Sequence, residues 1–217
     1  MKGKFILALC VCLALTEYST CREIFGRACF DGDVVYDKCG RRCQCENGNL
    51  FKCCRIRKEF TSMTQEERVH YINTVFKASS DSAYKTEYED FLIRHQQLFS
   101  EGIHKEKVFL PWHRWYVLQY EDLLRRVDCK VTVPYWDWST VAADPWSSSM
   151  WNTGNDGFGG DGDPNADYCV KDGPFRDPVW SYPLMGNKRA CLQRIFRQKA
   201  ENSTGTTGTH RARHRSG

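Results

Sequence analysis

What this sequence most plainly lacks is a long apolar run. The longest, "FILALCVCLALT" at residues 5–16, is shorter than the roughly 20 residues a membrane-spanning helix needs, so no membrane partner is expected. Histidine is scarce as well: His70, His95, His104, His113, His210 and His214 are the whole supply. Aromatics are not interleaved with the basic segments, so the pattern that binds nucleic acid is missing. Gly157, Gly159 and Gly162 match G-x-G-x-x-G, but no strand precedes them and Pro164 follows in place of a helix, which excludes a dinucleotide fingerprint. Asp161, Asp163, Asn165 and Asp167 alternate as in a calcium loop, yet Ala166 stands where that loop needs glycine.

Charge is unevenly spread. Residues 22–58 carry 9 basic and 5 acidic groups, 59–186 carry 12 and 20, and 187–217 carry 8 and 1. An acidic middle with basic flanks favours solvated ends over a dedicated polyanion site. Lys2 and Lys4 precede the apolar run and "EYST" follows it, the order of a secretory signal, so residues 1–20 are read as a signal peptide and the protein as secreted.

Export decides how the cysteines are used, because an oxidising compartment favours disulfides over zinc thiolates. Of twelve cysteines, Cys10 and Cys12 leave with the signal; seven of the rest lie between Cys21 and Cys54, and three are Cys129, Cys169 and Cys191. Both groups are odd, so complete pairing needs at least one bridge between them. Residues 21–58, with "NG" and "DG" turn signals between short β-type runs, read as a disulfide-stapled β module. Its C-x3-C-x-C spacing and Cys53-Cys54 pair loosely resemble a von Willebrand factor type C module.

Helical periodicity then takes over. Thr64 and Glu67 are spaced as a capping box ahead of Val69, Ile72, Val75 and Phe76, with His70 beside that stripe at the surface or its boundary. Tyr84, Tyr88, Phe91, Leu92, His95, Leu98 and Phe99 form a second stripe that Gly102 ends. A third helix starting near Pro111 aligns His113, Tyr116, Val117, Tyr120, Leu124 and Val127, while Arg114 and Glu121 share another face and Glu121 is placed to pair with Arg125. Residues 141–168, rich in Gly, Asp, Asn and Ser, read as a long loop. Residues 198–217 read as a disordered basic tail with a glycosylation sequon at Asn202.

His95 and His113 each lie on an apolar helix face, and His104 is in the connection. If the two helices pack antiparallel, three neutral imidazoles converge, a donor set that suits copper or zinc and leaves a coordination position open. The alternative is two hydrogen-bonded core histidines and a loop histidine.

The stretch "HKEKVFLPWHRWYVLQYE" resembles the first copper-binding signature of the tyrosinase, catechol oxidase and mollusc haemocyanin family of type-3 copper proteins. Phe109, Trp112-His113-Arg114 and Glu121 fall at the family's spacings after His104. "VTVPYWDWS" resembles the segment that follows the first copper helices, and "GFGGDG" and "CVKDGPF" are similar to later family segments. The resemblance covers roughly residues 55–197. It implies a mainly α fold, part of a type-3 copper helix bundle, with the cysteine-rich module (21–58) ahead of a first-copper domain (59–197). It implies His95, His104 and His113 as the ligands of one copper, and Arg114, Glu121, Trp136 and Asp137 as structural support, with the tryptophans packing beneath the site. Some relatives carry a cysteine two residues before the second ligand; Gly102 stands there, so no thioether forms.

Family chemistry uses two coppers, each on three histidines, to oxidise a phenol or catechol to a quinone with dioxygen. A second triad is not evident. His210 and His214 have the i, i+4 spacing of a ligand pair, but "THRARHRSG" has no apolar face and packs cations around them. The expected readings are therefore a phenol-oxidising copper enzyme incomplete in this chain, with a second chain as one source of the missing triad, or a catalytically inactive copper-binding or matrix protein of the same descent. A three-histidine zinc hydrolase is the weakest reading, because no general base or nucleophile stands out beside the triad.

Overall fold

A computed structural model describes residues 29–104 and 106–196. The proposed signal peptide, Cys21, Asn202, His210 and His214 lie outside the described residues.

The cysteine-rich part is a three-stranded antiparallel meander of β1 (Val34–Tyr36), β2 (Arg42–Glu46) and β3 (Asn49–Cys54). Asn47 (φ 53°) and Gly48 (φ 75°) turn between β2 and β3 with the two left-handed residues that a tight hairpin requires, so the "NG" signal is where the chain reverses. Such a sheet is too small to hold itself by burial. Its inward side chains are cysteines, and Cys29–Cys45 and Cys43–Cys53 replace a hydrophobic core. Cys39–Cys129 is the bridge that the odd cysteine counts require, and it ties the module to the helical part. Cys169–Cys191 closes the C-terminal region, and Cys54 is free and exposed.

Helix dominates the regular structure of the described residues. α1 (Gln65–Ser80) opens on a complete capping box: Thr64 Oγ1 accepts from the Glu67 amide and the Glu67 carboxylate accepts from the Thr64 amide. α2 (Lys85–Leu98) and α3 (Phe109–Val127) follow, and α1 packs on both. Pro111 sits in the first turn of α3, where its missing N–H costs nothing. The core is built from Phe60, Tyr71, Ile72, Val75, Ala78, Tyr88, Leu123, Leu124, Val131 and Phe175. His70 is a surface residue as expected, its Nε2 3.1 Å from Asp128 at the end of α3.

Two expectations need correction. The 141–168 stretch is not a plain loop: short 3-10 turns occupy Trp138–Val141, Pro145–Ser147 and Ser149–Trp151, and a small ladder pairs β4 (Gly162–Asp163) with β5 (Cys169–Val170). Polar side chains rather than apolar periodicity specify these turns, as where Ser148 Oγ accepts from the Met150 amide. A further hairpin pairs β6 (Tyr182–Leu184) with β7 (Lys188–Ala190) and rests on α2. Second, Glu121 does not pair with Arg125 on a solvated face. It is fully buried, and its carboxylate accepts from Arg55 Nη1 at 3.1 Å, Arg57 Nε at 2.9 Å and the Val133 amide at 2.9 Å. Burial alone would raise its pKa, but the Arg57, Val133 and Arg55 hydrogen bonds outweigh it and hold the carboxyl below its ordinary 4.5.

Candidate metal centre

Each of the three histidines is placed by a different local device. His95 lies in the last turn of α2, His113 in the first turns of α3, and His104 in the connection between them. Gly102 makes the reversal possible: its φ of 86° is a conformation side-chain-bearing residues resist, and it returns the chain across the end of α2. The three rings converge. One donor atom from each lies within 4.8 Å of the others, and Nε2 of His95 is 3.5 Å from Nε2 of His113. Ring centroids are 5.3, 5.6 and 5.0 Å apart for the 95–104, 95–113 and 104–113 pairs.

The protonation pattern fits a metal. His113 Nδ1 lies 2.8 Å from the Phe109 carbonyl, so Nδ1 carries the hydrogen and Nε2 keeps its lone pair toward the other rings. His104 Nε2 is buried without a hydrogen-bond partner. An unmet buried nitrogen costs on the order of 1–3 kcal/mol, a cost that coordination to a cation removes. Burial first, then the His113 and His104 charges, lower the pKa of His95 and favour the neutral ring that a metal binds.

Aromatic side chains frame the triad. Phe99 meets His104 edge-on at 4.3 Å, Phe109 lies 4.2 Å from His113, and Trp112 lies 4.9 Å from His113 and 5.8 Å from His95. Tyr116 is stacked between Phe91 at 4.0 Å and Trp112 at 4.6 Å, and its hydroxyl donates to the Phe91 carbonyl. Burial pushes that hydroxyl up to about 12, so it stays a donor and locks α3 against α2 one turn from His113.

The remaining expected site residues lie elsewhere. Arg114 is exposed on α3. Trp136 packs edge-on against Trp151 at 5.5 Å, and Asp137 accepts from the Ser139 amide to cap the 138–141 turn; the rings around the triad are Phe99, Phe109, Trp112 and Tyr116. The alternating acids do not form a cation cage: Asp161 Oδ1 accepts from the Gly162 and Phe196 amides, and Asp163 Oδ1 from the Asn165 amide. Among the described residues, His95, His104 and His113 are the group able to hold a metal. Sequence reasoning missed Arg55 and Arg57, although their alternation around Ile56 would place both guanidinium groups on one side of an extended strand.

Three imidazoles from an antiparallel helix pair and its connection, flanked by aromatic rings, define a metal-binding protein of the three-histidine class. The family model for the common central domain of tyrosinase matches residues 85–216, and the chain belongs to the tyrosinase family. It is 37% identical to an Aspergillus flavus tyrosinase over 157 residues, covering 65% of this chain and 42% of that protein. It is 32% identical to a Streptomyces lincolnensis tyrosinase over 145 residues, covering 65% and 51%. A polyphenol oxidase from Thermothelomyces thermophila, solved as a mutant, overlays with a TM-score of 0.47 at 26% identity, covering 62% of this chain and 44% of that one. The chain thus spans about half the length of the relatives it matches. Proteins of this family bind copper, and the triad is a donor set able to hold it.

Proposed function

We propose that this is a secreted copper protein of the phenol- and catechol-oxidising type, in which His95, His104 and His113 hold one copper and a second triad comes from outside the described residues. The observation that carries the reading is the convergence of three donor nitrogens with a buried, unpartnered His104 Nε2 among them. Copper bound there would supply the redox couple through which dioxygen oxidises a phenol to a quinone. The chain's own residues do the rest. The Phe109 carbonyl fixes the His113 tautomer, the Phe91–Tyr116–Trp112 stack sets the spacing of α2 and α3, and Phe99 and Phe109 pack against the His104 and His113 rings to hold their orientation. Secretion is supported by the four disulfides, which persist in oxidising compartments, and would expose Asn202 to glycosylation. The division into residues 21–58 and 59–197 is part of the same proposal.

A second reading is favoured by one observation: the described residues contain a single three-histidine group. A copper-binding or matrix protein without turnover would need no more. Oxygen uptake by the copper-loaded chain with catechol separates the two. Uptake that disappears in His104→Ala supports the oxidase; one bound copper per chain with no uptake supports the silent binder.

A further inference from the structure

Helix α2 is held on two adjacent sides. Tyr88, Phe91 and His95 follow i, i+3, i+7 and face α3, where Tyr88 meets Tyr120 and Phe91 stacks on Tyr116. Glu89 and Gln96 follow i, i+7 on the next side, about 100° round the helix, and face the β6–β7 hairpin. There the half-buried Gln96 carboxamide is bonded at both ends. Its Nε2 donates to the Pro183 carbonyl at 2.9 Å, and its Oε1 accepts from the Met185 amide at 3.2 Å. Those two backbone groups lie on the edge of β6 away from β7 and are what a neighbouring strand would take, so the side chain stands in a strand's place. Seven residues earlier, Glu89 accepts from Arg189 Nη1 at 2.6 Å. The hairpin is itself rooted at both ends: Trp180 Nε1 donates to Ser79 Oγ of α1 at 2.8 Å, and Cys191 is bonded to Cys169.

We propose that Gln96 is a positioning residue for the metal centre: by fixing the last turn of α2 to a rooted hairpin, it sets the rotation of that helix and so the direction in which His95 presents its donor nitrogen. The proposal rests on the copper reading above. Gln96 acts through its neighbour in the chain, and magnitudes show why the site needs it. A side-chain atom lies about 5–6 Å from a helix axis, so turning α2 by about 10° moves the His95 nitrogen by about 1 Å. Metal–ligand distances tolerate about 0.2 Å. A rotation too small to disturb the packing therefore spoils the site. Ring contacts do not prevent such a rotation: Phe91 and Tyr116, stacked with centroids 4.0 Å apart, hold the helices at a distance but can slide across one another. Two directional hydrogen bonds on one planar amide do prevent it. Adjacent residues thus divide the work, His95 facing the metal and Gln96 fixing the angle.

Copper(II) titration of the full chain against a competing chelator tests this, with electron paramagnetic resonance at half an equivalent of copper and near-UV circular dichroism to show that each variant is folded. Gln96→Leu, which keeps the bulk and removes both hydrogen bonds, is expected to weaken copper binding about ten- to a hundredfold. Its parallel hyperfine splitting should shift from the wild-type value or divide into two sets. Arg189→Ala removes the second anchor from the hairpin side, at Glu89, and is expected to give a smaller loss in the same direction. Thr64→Ala, which loosens α1 at its far end, is expected to keep the wild-type affinity and spectrum. A folded Gln96→Leu with wild-type affinity and spectrum overturns the positioning role, as does a Thr64→Ala variant that loses as much. Should Gln96→Leu fail to fold, Arg189→Ala decides, and a wild-type spectrum there overturns the role. All of these failures leave the copper reading intact. A wild-type chain that takes up no copper sinks that reading, and the role of Gln96 with it.

Discussion

Replacing Glu121 by glutamine should loosen the joint between the cysteine-rich module and the metal-bearing helix. The wild-type carboxylate is buried and accepts three hydrogen bonds, two from guanidinium groups and one from the Val133 amide. A hydrogen bond to a charged group contributes about 1.5–3 kcal/mol, and removing one partner of a buried pair costs about 3–5 kcal/mol. The arginine side chains are 29% and 38% exposed, so water compensates part of their loss. Glutamine also keeps one acceptor oxygen. The expected cost is about 2–3 kcal/mol for Glu121→Gln, which for a chain of this size lowers Tm by roughly 5–10 °C. Urea titration followed by tryptophan fluorescence measures it, with the slope checked for constancy. The sign of the pH dependence gives an independent check. Because the folded pKa lies below its ordinary 4.5, the stabilisation is present above pH 4.5 and is lost as pH falls through the folded value. Wild-type stability should therefore drop on acidification below about pH 4.5 more steeply than that of Glu121→Gln. A variant within 0.5 kcal/mol of wild type (about the noise of such titrations), with an identical acid limb, would refute the clamp.

Four further outcomes follow from the same geometry. Copper uptake by equilibrium dialysis should weaken as pH falls, because protons compete with the metal for the imidazole nitrogens, and His95, its pKa lowered by burial and then by His113 and His104, keeps its neutral form to below the ordinary 6.5. Removing Cys39–Cys129 as a double alanine variant opens a loop with a sequence separation of 90 and should cost about 4–5 kcal/mol on chain-entropy grounds, read as a fall in the denaturation midpoint. Leu124→Ala, at a fully buried core position, should cost about 2–5 kcal/mol and leave the copper stoichiometry of the folded chain unchanged. Thr64→Ala should cost about 1 kcal/mol, confined to α1, and hydrogen exchange should show fraying of its first turn.

The sequence showed whatever is written in short-range periodicity. His95 and His113 are legible as facing the packed side of their helices because they fall on apolar stripes, although both are only half-buried; the α1 start is legible in Thr64 and Glu67, and the β2–β3 turn in Asn47-Gly48. Cysteine parity even required a bridge such as Cys39–Cys129. Long-range polar contacts left no such trace. Glu121 lies off the apolar stripe and therefore reads as solvated, yet its partners stand 66 and 64 residues earlier in the chain, beyond any local pattern. The 141–168 turns were hidden for a different reason. Their Gly, Asp and Ser composition marks a loop equally well whether or not side chains such as Asp137 and Ser148 cap a turn, and only the fold decides which do.

The central claim is that three histidines from two helices and their joining turn share one metal ion. Equilibrium dialysis against copper(II), with metal counted by mass spectrometry and protein by amino-acid analysis, tests it most directly. Wild type should retain about one copper per chain, and His95→Ala, His104→Ala and His113→Ala should each fall by at least tenfold in affinity while remaining folded. Full retention of copper by any two of these variants would contradict the account.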